Sequence, residues 1–461
     1  MGSFFPSAGL SLALALAATP FVIWVSARLG VLDQPTLDHK THALPAATLG
    51  GLAVAFAVVV PAVMFGLDPG WAPVIHVACL SMAVIGALDD LFNLSPWTKL
   101  AAEVLAASAV CAAGLTLPAG PAWIAMPLTV LWLATCANGF NLTDGVDGLA
   151  AFTGIAAAGG LAFLTYLGGA AELAGLLVVL MAALTGFLVF NFPRARIFLG
   201  DSGALPIGFF LGVCGVAWAG IAPSRTTAIA PLFALALPLG ETVLSTVRRK
   251  LRGRPMFRAD QRHIHHRLAS RGWPSPKITL SCAGYSLAGA ATAGVVGAKG
   301  AAPVAMAMIA GFAILSFAGL RYLRYAELEC AAGRLWSART SSTLADQIAL
   351  TERREELESA ADPDRRWELV VLSLRELGFR EVRLFDRAGR PLRESSARRD
   401  GLECAWKLRV RLPDGEGVLE AERAVDDAGE TRVSEDLEQL LSRAFVRQAP
   451  GRSSGAESPA R

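Results

Sequence analysis

Asn138, Asn141, Asp144 and Asp147 recur at every third position in NGFNLTDGVDGLA (138–150). All four offer side-chain oxygen, and Gly145 and Gly148 between them leave room for a close approach by something bulky. In GALDDLFNLSPWTKL (86–100), Asp89 and Asp90 are adjacent carboxylates that repel each other unless a cation or donor intervenes, and Lys99 follows nearby. NFPRARIFLGDSGALPIG (191–208) sets Arg194 and Arg196 ahead of Gly200, Asp201, Ser202 and Gly203 at the start of an apolar run. Backbone N–H groups at a helix start attract phosphate, and Asp201 is a hard oxygen ligand of the kind Mg²⁺ takes. RADQRHIHHRL (258–268) gathers three histidines and three arginines. With no thiolate and with guanidinium groups opposing a metal, anion recognition fits this stretch better than zinc. Plain alternatives exist for each piece taken alone: Ser95 or Asp201 as helix caps, and the His/Arg run as a basic patch on anionic lipid. Together, carboxylate oxygen and guanidinium suit phosphoryl transfer on a diphosphate, in which a metal and cations neutralise charge on the transferred group.

The elements that must hold these residues are apolar. The chain of 461 residues is 53% hydrophobic and alternates long apolar runs with short polar breaks as far as about residue 324. Runs of 18 or more apolar residues can cross roughly 30 Å of hydrocarbon as helices. The pattern predicts an all-α polytopic membrane protein of about eleven spans, centred near residues 18, 57, 80, 107, 130, 159, 182, 212, 237, 287 and 312. The first run lacks a basic leader and a small-residue cleavage site, which reads as a retained helix. Every second loop is basic, from Lys40 and Lys99 through Arg194 and Arg196 to the dense run 248–277, while the intervening loops offer only Arg225 and Lys299. Positive charge stays on the cytoplasmic side, so the N-terminus is expected outside and the C-terminus inside, with all the polar motifs on the cytoplasmic face.

Charge divides the chain near residue 325: residues 1–324 hold 19 Lys+Arg against 12 Asp+Glu, a net +7, and residues 325–461 hold 23 against 27, a net −4. The expected divisions are a membrane-embedded domain (1–324), a helical linker (325–361), a small cytosolic α+β domain (362–448) and a disordered tail (449–461). In the α+β part, DRRWELVVLSLRELGF reads as helix, EVRLFD as a strand with a turn at RAGRP, WKLRVRLPDGEGVLEAER as a hairpin, and SEDLEQLLSRAFVRQ as a closing helix. A GAF-like sensor or a partner-docking appendage fits it, and no catalytic constellation is visible there. Seven cysteines stand singly with no CxxC pair, which argues against a disulfide framework or a zinc site.

DQPTLDHKTHALPAATLGG, DDLFNLSPWTKL, NGFNLTDGVDGLA, NFPRARIFLGDSG and HIHHRL follow one another in the order and spacing of the polyprenyl-phosphate N-acetylhexosamine-1-phosphate transferases, which the chain resembles over about residues 5–324. That family, glycosyltransferase family 4, includes the WecA-like enzymes and the MraY-like peptidoglycan translocase. The resemblance implies transfer of a sugar 1-phosphate from a UDP-amino sugar to undecaprenyl phosphate with release of UMP, initiating a lipid-linked cell-envelope glycan. It also implies Mg²⁺, with Mn²⁺ as a substitute, and a site on the cytoplasmic face of a bacterial inner membrane. By the same resemblance Asp89 and Asp90 lie near the acceptor phosphate, Asn141 and Asp201 bind the metal, and Asp144 and Asp147 are the second acidic motif. Phe198 stacks on uracil, and Lys99, Asn191, His42, His263, His265, His266 and Arg267 contact substrate. The first motif departs from the family's pattern: DHKTHALPAA has Lys40 after His39 and a single Pro45. The HIHH loop points to the N-acetylglucosamine or N-acetylgalactosamine branch rather than the phospho-MurNAc-pentapeptide branch. The rival class is a secondary transporter of an anionic substrate, which would place ionisable groups near the bilayer midplane. The partners expected are the UDP-sugar, the polyprenyl phosphate, the bilayer, a second copy of the chain as a homodimer and a cytosolic protein for the tail, with no nucleic acid.

Overall fold

The structure, a computed structural model, describes residues 4–33, 46–67, 70, 72–251, 263–298, 302–325, 356–357, 362–376, 379–386, 388–396, 404–411 and 417–424. It divides into two compact units, Met1–Val247 with Met256–Leu323, and Arg248–Pro255 with Arg324–Arg461.

The first unit is helical. Its apolar runs fold as α1 (Phe4–Leu29), α2 (Gly50–Met64), α3 (Ala72–Phe92), α4 (Pro96–Ala112), α5 (Ala122–Thr143), α6 (Leu149–Leu167), α7 (Ala171–Asn191) and α8 (Asp201–Ile221). The short α9 (Arg225–Ala228) and α10 (Ala230–Ala234) lead to α11 (Ala236–Leu251), followed by α12 (Ile264–Ala269), α13 (Ser275–Gly297) and α14 (Ala302–Leu323). Among the described residues eight helices are long and apolar enough to cross a membrane, and the α9–α10 and α11 pair, bent by 80°, makes a ninth if read as one broken span. The runs centred near 57 and 107 fold as helices of 15 and 17 residues, α2 and α4, too short to meet that measure. All eleven expected segments are therefore helical, and the long ones number eight or nine. The 80° bend is the feature that hydropathy alone did not anticipate, because a broken helix and a straight one have the same composition.

Polar punctuation sets the helix starts. Ser95 caps α4 by accepting the Thr98 N–H at 3.2 Å, with Pro96 in the first turn, where its missing N–H costs nothing. In the bundle α8 is central, 89% buried, and packs on α2, α3, α5 and α6, whereas α14 is 6% buried and presents its apolar surface outward. Close approach to the start of α8 depends on missing side chains: a Cβ on Gly51 would lie 2.1 Å from the Gly203 nitrogen, and one on Gly86 would lie 2.3 Å from the Asp201 carbonyl. At the same end β1 (Leu32–Asp33) pairs antiparallel with β2 (Ala46–Ala47), and Ala47 also bridges Ile197 in parallel. The polar loops after α1, α3, α5 and α7 are thus bonded to one another at one end of the bundle, as their alternation with apolar runs requires.

The second unit contains the helix Pro363–Glu376 and a four-stranded antiparallel sheet ordered β4–β3–β6–β5, with β3 Phe379–Asp386, β4 Pro391–Ser396, β5 Cys404–Arg411 and β6 Gly417–Ala424. Val382 and Leu384 on β3 and Leu419 and Ala421 on β6 are buried, the period-two pattern of a sheet with one covered face. The expected helix, the EVRLFD strand, the RAGRP turn with Gly389 at φ +77°, and both arms of the hairpin are present. Strand β4 was not anticipated; it pairs with β3 from Glu381↔Ser396 to Phe385↔Pro391. The Pro-Asp-Gly turn, most of the 325–361 linker, the closing helix and the 449–461 tail lie outside the described residues.

Candidate active site

The end of α3 turns into the site. Asp89 Oδ1 accepts the Leu94 N–H at 2.7 Å, which folds the 89–94 segment back, and Asp89 Oδ2 meets Lys99 Nζ at 2.8 Å. The same ammonium meets Asp201 Oδ2 at 2.9 Å. Lys99, expected to contact substrate phosphate, is in this structure the cation between two carboxylates of different helices, and it relieves the repulsion that gathering them creates. Asp90 does something else. Its Oδ1 accepts the Asp201 N–H at 3.1 Å and its Oδ2 the Ser202 N–H at 3.2 Å, so it caps α8 from 111 residues away. The amides that the sequence offered to a phosphate are in this structure satisfied by a carboxylate, because Gly200, with φ +66°, provides no side chain to cap them.

The Asn/Asp ladder divides its work. Asn138 Nδ2 donates to Glu103 Oε2 at 2.6 Å and so belongs to the α4–α5 contact. Asn141 is half-buried in the last turn of α5. Asp144, just past that turn, accepts the Gly200 N–H at 2.8 Å and so ties the ladder to the start of α8. Burial holds the Asp144 carboxyl well above the usual carboxylate range, and the charges of Asp90 and Asp201 push in the same direction. Asp147 is buried, and its carbonyl accepts the Thr279 hydroxyl of α13 at 2.7 Å. The bulky neighbours for which the glycines leave room belong to the chain itself: a Cβ on Gly145 would lie 2.7 Å from His265 Nε2, and one on Gly148 would lie 2.9 Å from the Phe192 ring.

That contact brings the histidines in. His263, His265 and His266 pack ring to ring, the closest pair, His265 and His266, with centroids 4.2 Å apart. His265 is 2% exposed, and burial together with its two histidine neighbours holds it well below the usual histidine range, so it is a neutral imidazole. Arg267 lies on the same short helix.

Two expected substrate residues serve the scaffold in this conformation. Asn191 is buried and donates to the Ile197 carbonyl at 2.7 Å, closing the turn before α8. Phe198, expected to stack on uracil, is 7% exposed, and its backbone joins Ala47 at 2.8 Å and Gly50 at 3.1 Å, which leaves little ring face open to a base. His42 lies outside the described residues, as do His39, Lys40, Arg258 and Arg262. Glu103 and Glu241, buried with 2% and 1% exposure, were missed. Their signal was legible in principle, since each is a lone carboxylate within an apolar run, where an ionisable group is expensive.

The profile of glycosyl transferase family 4 matches residues 72–219, which hold the carboxylate cluster. A probable undecaprenyl-phosphate N-acetylglucosaminyl 1-phosphate transferase of Bacillus subtilis (strain 168) is 31% identical over 274 residues, covering 57% of this chain and 76% of the relative. The decaprenyl-phosphate N-acetylglucosaminephosphotransferase of Mycobacterium tuberculosis (strain ATCC 25618 / H37Rv) is 31% identical over 306 residues, covering 57% and 75%. A phospho-N-acetylmuramoyl-pentapeptide-transferase of Shouchella clausii (strain KSM-K16) is 26% identical over 274 residues, covering 54% and 82%. With the carboxylates of distant helices drawn onto one lysine and the histidine helix set against the acidic ladder, the chain belongs to the polyprenyl-phosphate N-acetylhexosamine-1-phosphate transferases of glycosyl transferase family 4.

Proposed function

We propose that the protein transfers a sugar 1-phosphate, from UDP-N-acetylglucosamine or a related UDP-amino sugar, to undecaprenyl phosphate. The observation that carries this reading is the Lys99 ammonium held between Asp89 and Asp201 beside the capped start of α8. It concentrates both signs of charge where a diphosphate and its counter-cation would need them. An oxygen of the lipid phosphate attacks the sugar-bearing phosphorus of the donor, the bond from that phosphorus to the bridging anhydride oxygen breaks, and UMP leaves with the bridging oxygen. The acceptor's second phosphate pKa is about 6, so it is largely a dianion at neutral pH. A general base therefore adds less than alignment and charge neutralisation do, and direct attack is favoured over an aspartyl-phosphate intermediate. Asp90 and Asp144 fix the backbone at Gly200 and Asp201, while His266 and Arg267 supply donors to the diphosphate.

Mg²⁺, implied by the family, suits this donor set. No three His, Cys, Asp or Glu side chains among the described residues form a ready-made cage, and Mg²⁺ asks for none, since it is held by one or two carboxylates with waters and substrate phosphates. Asp201, with Asp89 beside it, and Asn141 would hold it, and when bound it would neutralise charge on the transferring phosphoryl group. The charge bias of the loops supports an orientation with the site facing the cytoplasm from a bacterial inner membrane. A cysteine introduced at Ser270 should accordingly resist an impermeant thiol reagent added to intact cells, and labelling there would invert the orientation.

The test is UMP release by the purified full chain with Mg²⁺, undecaprenyl phosphate and a panel of UDP-N-acetylglucosamine, UDP-N-acetylgalactosamine and UDP-MurNAc-pentapeptide. Release with one of the first two and formation of a lipid-linked diphosphosugar are expected. Release with the pentapeptide donor alone would move the protein to the other branch, and a folded protein inert with all three would overturn the reading.

A further inference from the structure

Glu241 belongs to no motif considered above, yet it is among the most enclosed charges in the helical unit, at 1% exposure. It lies on α11, just past the 80° bend. Both of its oxygens are engaged with the histidine segment: Oε1 accepts the Ile264 N–H at 2.7 Å, and Oε2 lies 3.3 Å from His263 Nδ1. The segment needs this help, because His263, the residue before the first turn of α12, makes no side-chain cap of its own. A carboxylate removed from water without such partners would be strongly destabilising. The pairing also has a direction. A carboxylate at Nδ1 selects the tautomer with hydrogen on that nitrogen and fixes the plane of the ring, leaving Nε2 turned away from Glu241. From His263 the ring cluster continues to His265, which rests on Gly145, and the next residue back, Asp144, holds the Gly200 N–H at the start of α8.

We propose that Glu241 is a positioning residue for the transfer reaction: it pins His263 and the His263–Arg267 segment to the broken helix, so that the histidine cluster keeps its register against the acidic ladder. The inference rests on the transferase reading for its catalytic consequence, and on geometry alone for the pinning.

Two measurements separate these. Carbethoxylation of His263 and His265 by diethyl pyrocarbonate, read by peptide mass spectrometry on the full chain, is expected to be slow in the wild type, where both residues are buried, and to rise several-fold in Glu241→Ala. Unchanged rates in a Glu241→Ala protein that elutes as the wild type does would overturn the pinning, whatever the activity assay gives. Should Glu241→Ala fail to fold, Glu241→Gln serves, since its amide oxygen still accepts the Ile264 N–H; the rate then rises at His263 more than at His265. In the UMP assay, Glu241→Ala is expected to lose on the order of 10- to 100-fold in kcat, as misplacement of a catalytic group does, with Glu241→Gln intermediate. Because Glu241 acts through His263 and through the Ile264 N–H of the same segment, the Glu241→Ala/His263→Ala double variant should lose clearly less than the product of the two single losses. A double variant showing the product of the two single losses would assign Glu241 a separate role and overturn the proposal. A wild type inert with every UDP-sugar would sink the transferase reading and leave the labelling result to decide the pinning.

Discussion

In the helical unit the side chains of Lys99, Asp89 and Asp201 are 24%, 14% and 17% exposed, whereas in the second unit Arg390, in the turn after β3 and paired with Asp386, and Arg409, on β5 and paired with Glu420, are 80% and 72% exposed. The partners differ as well. Arg409 and Glu420 are direct neighbours across β5 and β6, and Arg383 and Glu394 across β3 and β4, so strand register alone brings them together. Lys99 and Asp201 are 102 residues apart, and only the packing of α3, α4 and α8 joins them. Exposed pairs of this kind are screened by water and contribute little. Part-buried charges drawn together by tertiary packing interact more strongly and can be held in a geometry that a reaction uses. Similar residue types thus give a solvated surface in one region and a poised cluster in the other.

That contrast breaks most severely at Asp201. Asp201→Asn is expected to lower UMP release by at least about 100-fold, the scale seen when a preorganised electrostatic group is removed, while the protein still inserts and purifies. Wild-type turnover by this variant, or full activity of the wild type in excess chelator, would remove a metal at Asp201 from the mechanism.

Asp144 sharpens the comparison by setting stability against function. Burial raises its pKa in the fold, so the folded protein keeps a proton that the unfolded chain gives up once pH passes about 4. The group's contribution to stability is thus present at low pH and is lost as pH rises toward the folded value. Asp144→Asn abolishes that titration. Its thermal midpoint at pH 7.5 should match or exceed that of the wild type and vary less with pH, while UMP release falls by about tenfold, or ~1.4 kcal/mol. A lower midpoint at pH 7.5 would mean that Asp144 is charged and paired in the fold.

The smallest effect is expected from the second unit. A chain ended after Tyr325 should keep transfer within about threefold, or ~0.7 kcal/mol, because its exposed ion pairs form no cluster of the Lys99 kind. Loss of transfer by a folded truncation, restored by adding residues 326–461 in trans, would place part of the active site in the tail and abolish the distinction.

Much of this was legible in one dimension. Apolar runs of helical length, polar breaks with Ser95 or Pro96 at their edges, and the switch from net +7 to net −4 near residue 325 specify a helical membrane unit followed by a polar one, because solvent preference is a property of each residue type. The identities of Asp89, Asp90, Asp144, Asp201 and the HIHH segment could be read the same way, since a carboxylate or imidazole beside hydrocarbon stands out wherever the chain leads. The assignment of partners could not be read. That Lys99 holds two carboxylates, that Asp90 caps a helix 111 residues on, that Asn191 closes a turn and that Glu241 holds His263 all depend on distances between helices. Those distances are set by side-chain volumes at the crossings, such as Gly51 and Gly86 against α8, and by the 80° bend before α11. A hydrogen bond forms or fails over a few tenths of an ångström, and only the packed bundle decides separations that small.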